Sequence, residues 1–165
     1  MTQGSNALYD FKEILTKHKF EHYFPELTFE IDKDIRQSYK GGFTYLNPIY
    51  KEKEVKRGYV IDVNSLYPAC MYYEKIPFGE PKFFTGKYKK DNVYDLYIQM
   101  ITCRFKLKKG KIPTIQIKND RFHFVGNEYL ENSGDEDVVL CLTCIDLELF
   151  FEQYEVYNIE LDLEE

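Results

Sequence analysis

Apolar positions change their period along the chain, and each change predicts a different element. Leu8, Phe11, Ile14 and Leu15 recur at three- and four-residue spacing, so residues 5–20 read as an amphipathic helix with Ser5 as its N-cap. A shorter helix is predicted over residues 32–39. Asp32 caps it, and it stops at Gly41-Gly42, where a left-handed backbone meets no β-carbon. Residues 57–63 (RGYVIDV) are a hydrophobic run ending on an acid, which predicts a strand. Residues 64–68 then turn the chain into a helical turn over residues 69–73. Pro77, Gly79 and Pro81 close that turn.

Beyond this break the period shortens. Strands are expected at residues 82–85, 95–107, 112–117 and 138–143. The stretch CRFKLKKGKIPTIQI alternates around Gly110 and reads as a hairpin, with Phe105 and Leu107 on one face and Lys106 and Lys108 on the other. Residues 132–137 form a polar, acidic loop. Leu147, Phe150, Phe151 and Tyr154 then fall at helical spacing over residues 145–154, and VYNIEL supplies a last strand. The class is α+β, with a boundary near residues 73–75.

A chain of 165 residues is one domain's worth. With 15 Tyr and 13 Phe, its aromatic load suits strands and base-stacking surfaces alike. No apolar run approaches the ~18 residues of a membrane span. The start, MTQGSNALYDFKEIL, has no basic region followed by an apolar stretch, so no secretory signal is expected.

Net charge is −6, which alone argues against nucleic acid, but its distribution is uneven. Arg104, Lys106, Lys108, Lys109, Lys111, Lys118 and Arg121 face only Asp120 in that stretch, and no Lys or Arg follows. Such a basic ribbon fits a phosphate backbone, and equally a solvated strand edge kept from pairing by lysines.

Cys70, Cys103, Cys141 and Cys144 fit a reducing compartment. Cys141 and Cys144 have C-x-x-C spacing, but no second ligand pair follows, and VVLCLTC reads as a buried strand. His18 and His22 stand four residues apart but lack the glutamate of a zinc-binding helix, so they read as surface histidines.

The chemistry concentrates in YVIDVNSLYP. A carboxylate at the end of a buried strand is costly unless it is paired, hydrogen-bonded or metal-bound. Asp62 at a tight turn offers Mg²⁺ a hard oxygen ligand, with backbone N–H groups nearby for phosphates. The Tyr67 ring could floor a sugar. The same spacing also fits an Asp62 that caps a turn and a Tyr67 packed in a core.

The run Asp62-Val63-Asn64-Ser65-Leu66-Tyr67-Pro68 resembles motif A of family B DNA polymerases, DxxSLYP. Upstream, Tyr39-Lys40-Gly41-Gly42 resembles that family's YxGG motif. IPFGEP, IPTIQIK, GNEYL and the helix bearing Ile145-Asp146-Leu147-Glu148-Leu149 resemble the protein-primed branch, which copies linear phage and plasmid genomes from the hydroxyl of a terminal protein. The resemblance implies a partial palm over residues 1–74. It implies a β-rich insertion with a C-terminal helix over residues 75–165, similar to the first terminal protein region.

It further implies roles. Asp62 and the Val63 carbonyl would hold Mg²⁺, with Mn²⁺ as a substitute. Ser65, Leu66 and Tyr67 would contact the deoxynucleoside triphosphate, with Tyr67 excluding a 2′-hydroxyl. Tyr39, Gly41 and Gly42 would hold template. Lys118 and Tyr129 would contact DNA or terminal protein, and Asp146 would contact terminal protein. The partners implied are primer–template DNA, deoxynucleotides, terminal protein and the remainder of a polymerase chain, in the cytoplasm of a bacterial host.

Motif B, motif C (YxDTD), the KxY motif and the exonuclease carboxylates have no counterpart here. Two-metal phosphoryl transfer needs carboxylates from two places, so an excised, inactive piece is expected. The alternatives are a non-catalytic nucleic-acid or protein-binding module, another metal-dependent phosphoryl transferase built on Asp62, and an RNA polymerase-like palm, which a bulky Tyr67 disfavours.

Overall fold

The computed structural model describes residues 3–118 and 129–161. In chain order these form α1 (Gln3–Leu15), α2 (Lys17–Tyr23), α3 (Phe29–Ser38), a 3₁₀ turn (Pro48–Tyr50), α4 (Leu66–Tyr73), β1 (Ile98–Leu107), β2 (Val138–Thr143), α5 (Cys144–Gln153) and β3 (Tyr154–Leu161). The class is α+β, as the sequence predicts. Contacts divide the chain into two units: Met1–Tyr39 with Pro77–Glu165, and Lys40–Ile76.

In the larger unit, an antiparallel sheet has the order β2-β1-β3. Strand β1 obeys its period-two pattern. Gln99, Ile101, Cys103 and Phe105 point into the core, and Lys106 is exposed. Leu140 and Leu142 of β2, Phe150 of α5, Tyr154 and Ile115 complete that core. The rings of Phe105, Phe150 and Tyr154 meet pairwise with centroids 5.2–5.4 Å apart, mostly edge to face. Such pairs add about 0.5–1.5 kcal/mol each beyond the area they bury.

The turn from β2 into α5 is set by a reciprocal cap. Thr143 Oγ1 accepts the Asp146 N–H at 3.2 Å and donates to the Asp146 carboxylate at 2.8 Å. Lys108 closes the other end of α5, donating from Nζ to the carbonyls of Phe151 and Glu152 at 2.7 and 3.2 Å.

Several elements differ from the sequence reading. The first helix breaks at Thr16, whose φ is 67°, so that Phe20 and Phe24 of the returning segment pack on Phe11 at about 6 Å. Helix α3 begins at Phe29, capped by Thr28 rather than Asp32. Residues 82–85 form no strand. Phe84, Tyr88 and Tyr97 cluster instead, and the rings of Tyr88 and Tyr97 stack at 4.0 Å.

Residues 112–117 turn at Gly110 but do not pair with β1, because β3 takes that edge. Ile115 bridges Leu130 instead. The hydroxyl of Tyr154 joins these segments. It accepts the N–H groups of Thr114 and Ile115 at 2.7 and 3.2 Å and donates to the Leu130 carbonyl at 2.9 Å. A buried phenol with three backbone partners is fully satisfied.

In the unit Lys40–Ile76, residues 57–63 form no strand. Tyr59, Val60 and Ile61 are exposed, because a strand needs a ladder partner and no described residue pairs with them. Helix α4 follows. Pro68 sits in its first turn, where a missing N–H breaks no helical bond. The helix ends at Tyr73, and the backbone before Pro77 is steered away from helix.

Candidate functional site

The irregular segment 57–63 delivers Asp62 to the mouth of the turn at residues 64–65. That carboxylate is exposed rather than buried at a strand end, which corrects the expectation from the hydrophobic run. The Val63 carbonyl accepts the Leu66 N–H at 3.3 Å, and one of its lone pairs remains for another donor or a cation.

Ser65 then adopts φ 54°, ψ 37°, a left-handed conformation uncommon for a residue with a β-carbon. No hydrogen bond from its side chain caps α4. Backbone strain of this kind persists where surrounding structure enforces it, often at functional sites.

Within the same unit, Gly42 and Tyr67 come together. A β-carbon placed on Gly42 would stand 3.6 Å from the Tyr67 hydroxyl, with open space around Gly41. The Tyr67 ring itself is exposed. The reading of Tyr67 as a core residue therefore does not hold among the described residues.

In the larger unit, Tyr39 is the C-cap of α3, and its ring is 72% exposed. Lys118 reaches the end of that helix. Its ammonium donates to the carbonyls of Arg36 and Gln37 at 2.9 and 3.2 Å, and to that of Tyr39. Asp146 is held in the Thr143 cap, and Tyr129 is half-buried.

Much of the basic ribbon is likewise engaged within the protein. Arg104 pairs with Asp137 at 2.7 Å, Lys111 pairs with Glu152 at 2.9 Å, and Lys108 caps α5. Neither reading of the ribbon from charge alone anticipated these pairs. They join residues distant in sequence.

The thiols of Cys103 and Cys141 are pushed up to about 11. Burial is the main cause for both, aided by Asp137 beside Cys103 and Asp34 beside Cys141. They stay protonated at neutral pH, as small apolar groups do. His18 and His22 are both exposed.

Among the described residues, no three His, Cys, Asp or Glu side chains are grouped to hold a metal ion. Asp62 and the Val63 carbonyl are hard oxygen donors of the kind Mg²⁺ takes. Two such donors alone would leave most of a Mg²⁺ shell to phosphate oxygens, water or other ligands.

The family model for DNA polymerase type B, organellar and viral, matches residues 1–162. The chain belongs to that family. It is 58% identical over 160 residues to the DNA polymerase of Bacillus phage B103, covering 97% of this chain and 28% of that protein. It is 36% identical over 163 residues to the DNA polymerase of Streptococcus phage Cp-1, covering 93% of this chain and 28% of that protein.

Among solved structures it is similar to Phi29 DNA polymerase complexed with primer-template DNA and incoming nucleotide substrates. The TM-score is 0.90 at 54% identity, over 98% of this chain and 28% of that one. The chain thus spans 28% of the length of the type B polymerases it matches. No helix among the described residues is long and apolar enough to cross a membrane.

Proposed function

We propose that this chain is the first part of the palm, with the following insertion, of a DNA-directed DNA polymerase that replicates linear DNA by protein priming. The observation that carries the proposal is the turn at residues 62–66. An exposed carboxylate, a left-handed Ser65 and the start of α4 succeed one another there, in a chain of the type B family.

In this reading residues 1–74 belong to the palm and residues 75–165 to the first terminal protein region. Asp62 and the Val63 carbonyl hold Mg²⁺, or Mn²⁺ in its place. With carboxylates from elsewhere in the polymerase completing the site, such a metal would supply electrostatic stabilisation of the phosphoryl group. Ser65 and Leu66 meet the triphosphate at the amino end of α4, where backbone N–H groups favour anions. Tyr67 lies beneath the deoxyribose and excludes a 2′-hydroxyl. Tyr39, Gly41 and Gly42 hold the template strand. Lys118 and Tyr129 serve DNA binding, and Asp146 serves terminal-protein binding. The polymerase acts in the cytoplasm of a bacterial host.

Primer extension tests the proposal. The expected result is no deoxynucleotide incorporation by the 165-residue chain alone with Mg²⁺ or Mn²⁺, and incorporation by the complete polymerase. Incorporation by the isolated chain that disappears in Asp62→Ala would overturn it in favour of a self-sufficient phosphoryl transferase.

A further inference from the structure

Helix α3 ends without a glycine. Its C-cap, Tyr39, is extended at φ −66°, ψ 129°, and its N–H returns to the Arg36 carbonyl at 3.3 Å. The last carbonyls of a helix have no intrahelical donors and carry the negative end of its dipole.

Lys118, 79 residues beyond Tyr39, adds donors there, at Arg36 beside the Tyr39 N–H. Its ammonium reaches the carbonyls of Arg36, Gln37 and Tyr39, and stands 5.9 Å from the centroid of the Tyr39 ring. An ammonium has three protons to give and accepts nothing, so three carbonyls match it in number and charge. The helix is also seated farther back, where the Cys141 thiol donates to the Asp34 carbonyl at 3.8 Å and α3 contacts β2.

We propose that Lys118 is a positioning residue for Tyr39. By holding the carbonyls at the end of α3, it fixes the backbone from which the exposed Tyr39 ring projects to the template strand. The inference rests on the proposed template role of Tyr39, and it makes the effect of Lys118 on DNA binding indirect. A lysine that met phosphate directly would spend its protons on the ligand instead of on α3.

The test uses Lys118→Met, Tyr39→Ala and the double variant in the complete polymerase. Two quantities are read: amide hydrogen exchange at Tyr39, and primer–template affinity across a salt series. Methionine keeps the aliphatic stem and removes the ammonium.

The expected result is faster exchange at Tyr39 in Lys118→Met. Affinity falls about three- to tenfold with the salt slope unchanged, and no further loss appears once Tyr39 is already alanine. Unchanged exchange overturns the inference. So does a salt slope reduced by one phosphate's worth, roughly 0.7–0.9, with a loss that adds in full to that of Tyr39→Ala. If exchange quickens while Tyr39→Ala leaves affinity untouched, the template role of Tyr39 fails and the positioning contact stands.

Discussion

The hydroxyl of Tyr67 lies against Gly42, 3.6 Å from where a β-carbon on that glycine would stand. That is an ordinary van der Waals distance, so Gly42→Ala fits without moving the ring. Valine adds methyl groups beyond that point and displaces it. If Tyr67 sets sugar choice, Gly42→Ala keeps wild-type discrimination between deoxy- and ribonucleotides in the complete polymerase. Gly42→Val and Tyr67→Val each raise ribonucleotide use by about tenfold or more, since ~1.4 kcal/mol of lost discrimination is a factor of ten. Competitive incorporation assays measure this. Unchanged discrimination in Tyr67→Val would remove Tyr67 from that role.

Tyr154 supports the neighbouring strands through its hydroxyl. Tyr154→Phe keeps the ring between Phe105 and Phe150 but strands the N–H groups of Thr114 and Ile115 and the Leu130 carbonyl. Leaving buried backbone groups unsatisfied costs about 1–3 kcal/mol. Tyr157→Phe is the control. Its hydroxyl donates to the Glu155 carboxylate at an exposed position, where changes stay within about 0.5 kcal/mol. Urea unfolding of the two variants compares them. Equal midpoints would contradict the role given to Tyr154.

The cysteines give a pH-dependent readout. Cys70 is exposed, whereas Cys103 and Cys141 are raised from 9.0 to about 11, chiefly by burial. Iodoacetamide at pH 8 therefore modifies Cys70 first, because the thiolate is the reacting form. The two raised thiols bind their protons more tightly in the folded chain than in the unfolded one. Their contribution to stability is complete below pH 9 and is lost as pH rises from 9 through about 11. Peptide mapping and urea titrations at pH 8, 10 and 11 check both statements. Cys103 labelling as fast as Cys70 would contradict them.

What the sequence made legible follows from how local each determinant is. The alternation in β1 sorts Phe105 from Lys106, and the helical spacing of Leu147, Phe150 and Phe151 marks α5. Both can be read from neighbouring residues. Residues 57–63 read as a strand from their hydrophobic run, but a strand is made by its partner, and none is present among the described residues. The hairpin after β1 failed because β3, much later in the chain, occupies that edge.

The site divides in the same way. Asp62 to Pro68 is contiguous, so its resemblance to motif A can be read from the sequence alone. The approach of Gly42 to Tyr67 and the grip of Lys118 on α3 are tertiary, and no local pattern encodes them. Part of GNEYL lies outside the described residues; Tyr129 and Leu130 lie within them.

Substitution of Asp146 distinguishes a structural cap from the proposed terminal-protein role. It donates its N–H to Thr143 and accepts that hydroxyl at the start of α5, so Asp146→Asn keeps the cap's shape while removing charge. If the carboxylate serves terminal protein, nucleotide addition to the terminal-protein hydroxyl falls by about tenfold while extension of a DNA primer is spared. Parallel initiation and extension assays measure the difference. An equal fall in both would mark a purely structural cap.

The central claim is that Asp62 holds catalytic metal in a polymerase palm, and Asp62→Asn tests it most directly. The substitution keeps the side chain's shape and removes the negative charge that the proposal assigns to Mg²⁺ binding. The measurement is Mg²⁺-dependent primer extension by the complete polymerase, beside primer–template binding on the same preparation. The account predicts that synthesis falls by about 10³-fold or more, as ~4 kcal/mol of lost transition-state stabilisation requires, while binding stays within about threefold of wild type. Synthesis at wild-type rate by Asp62→Asn would contradict it.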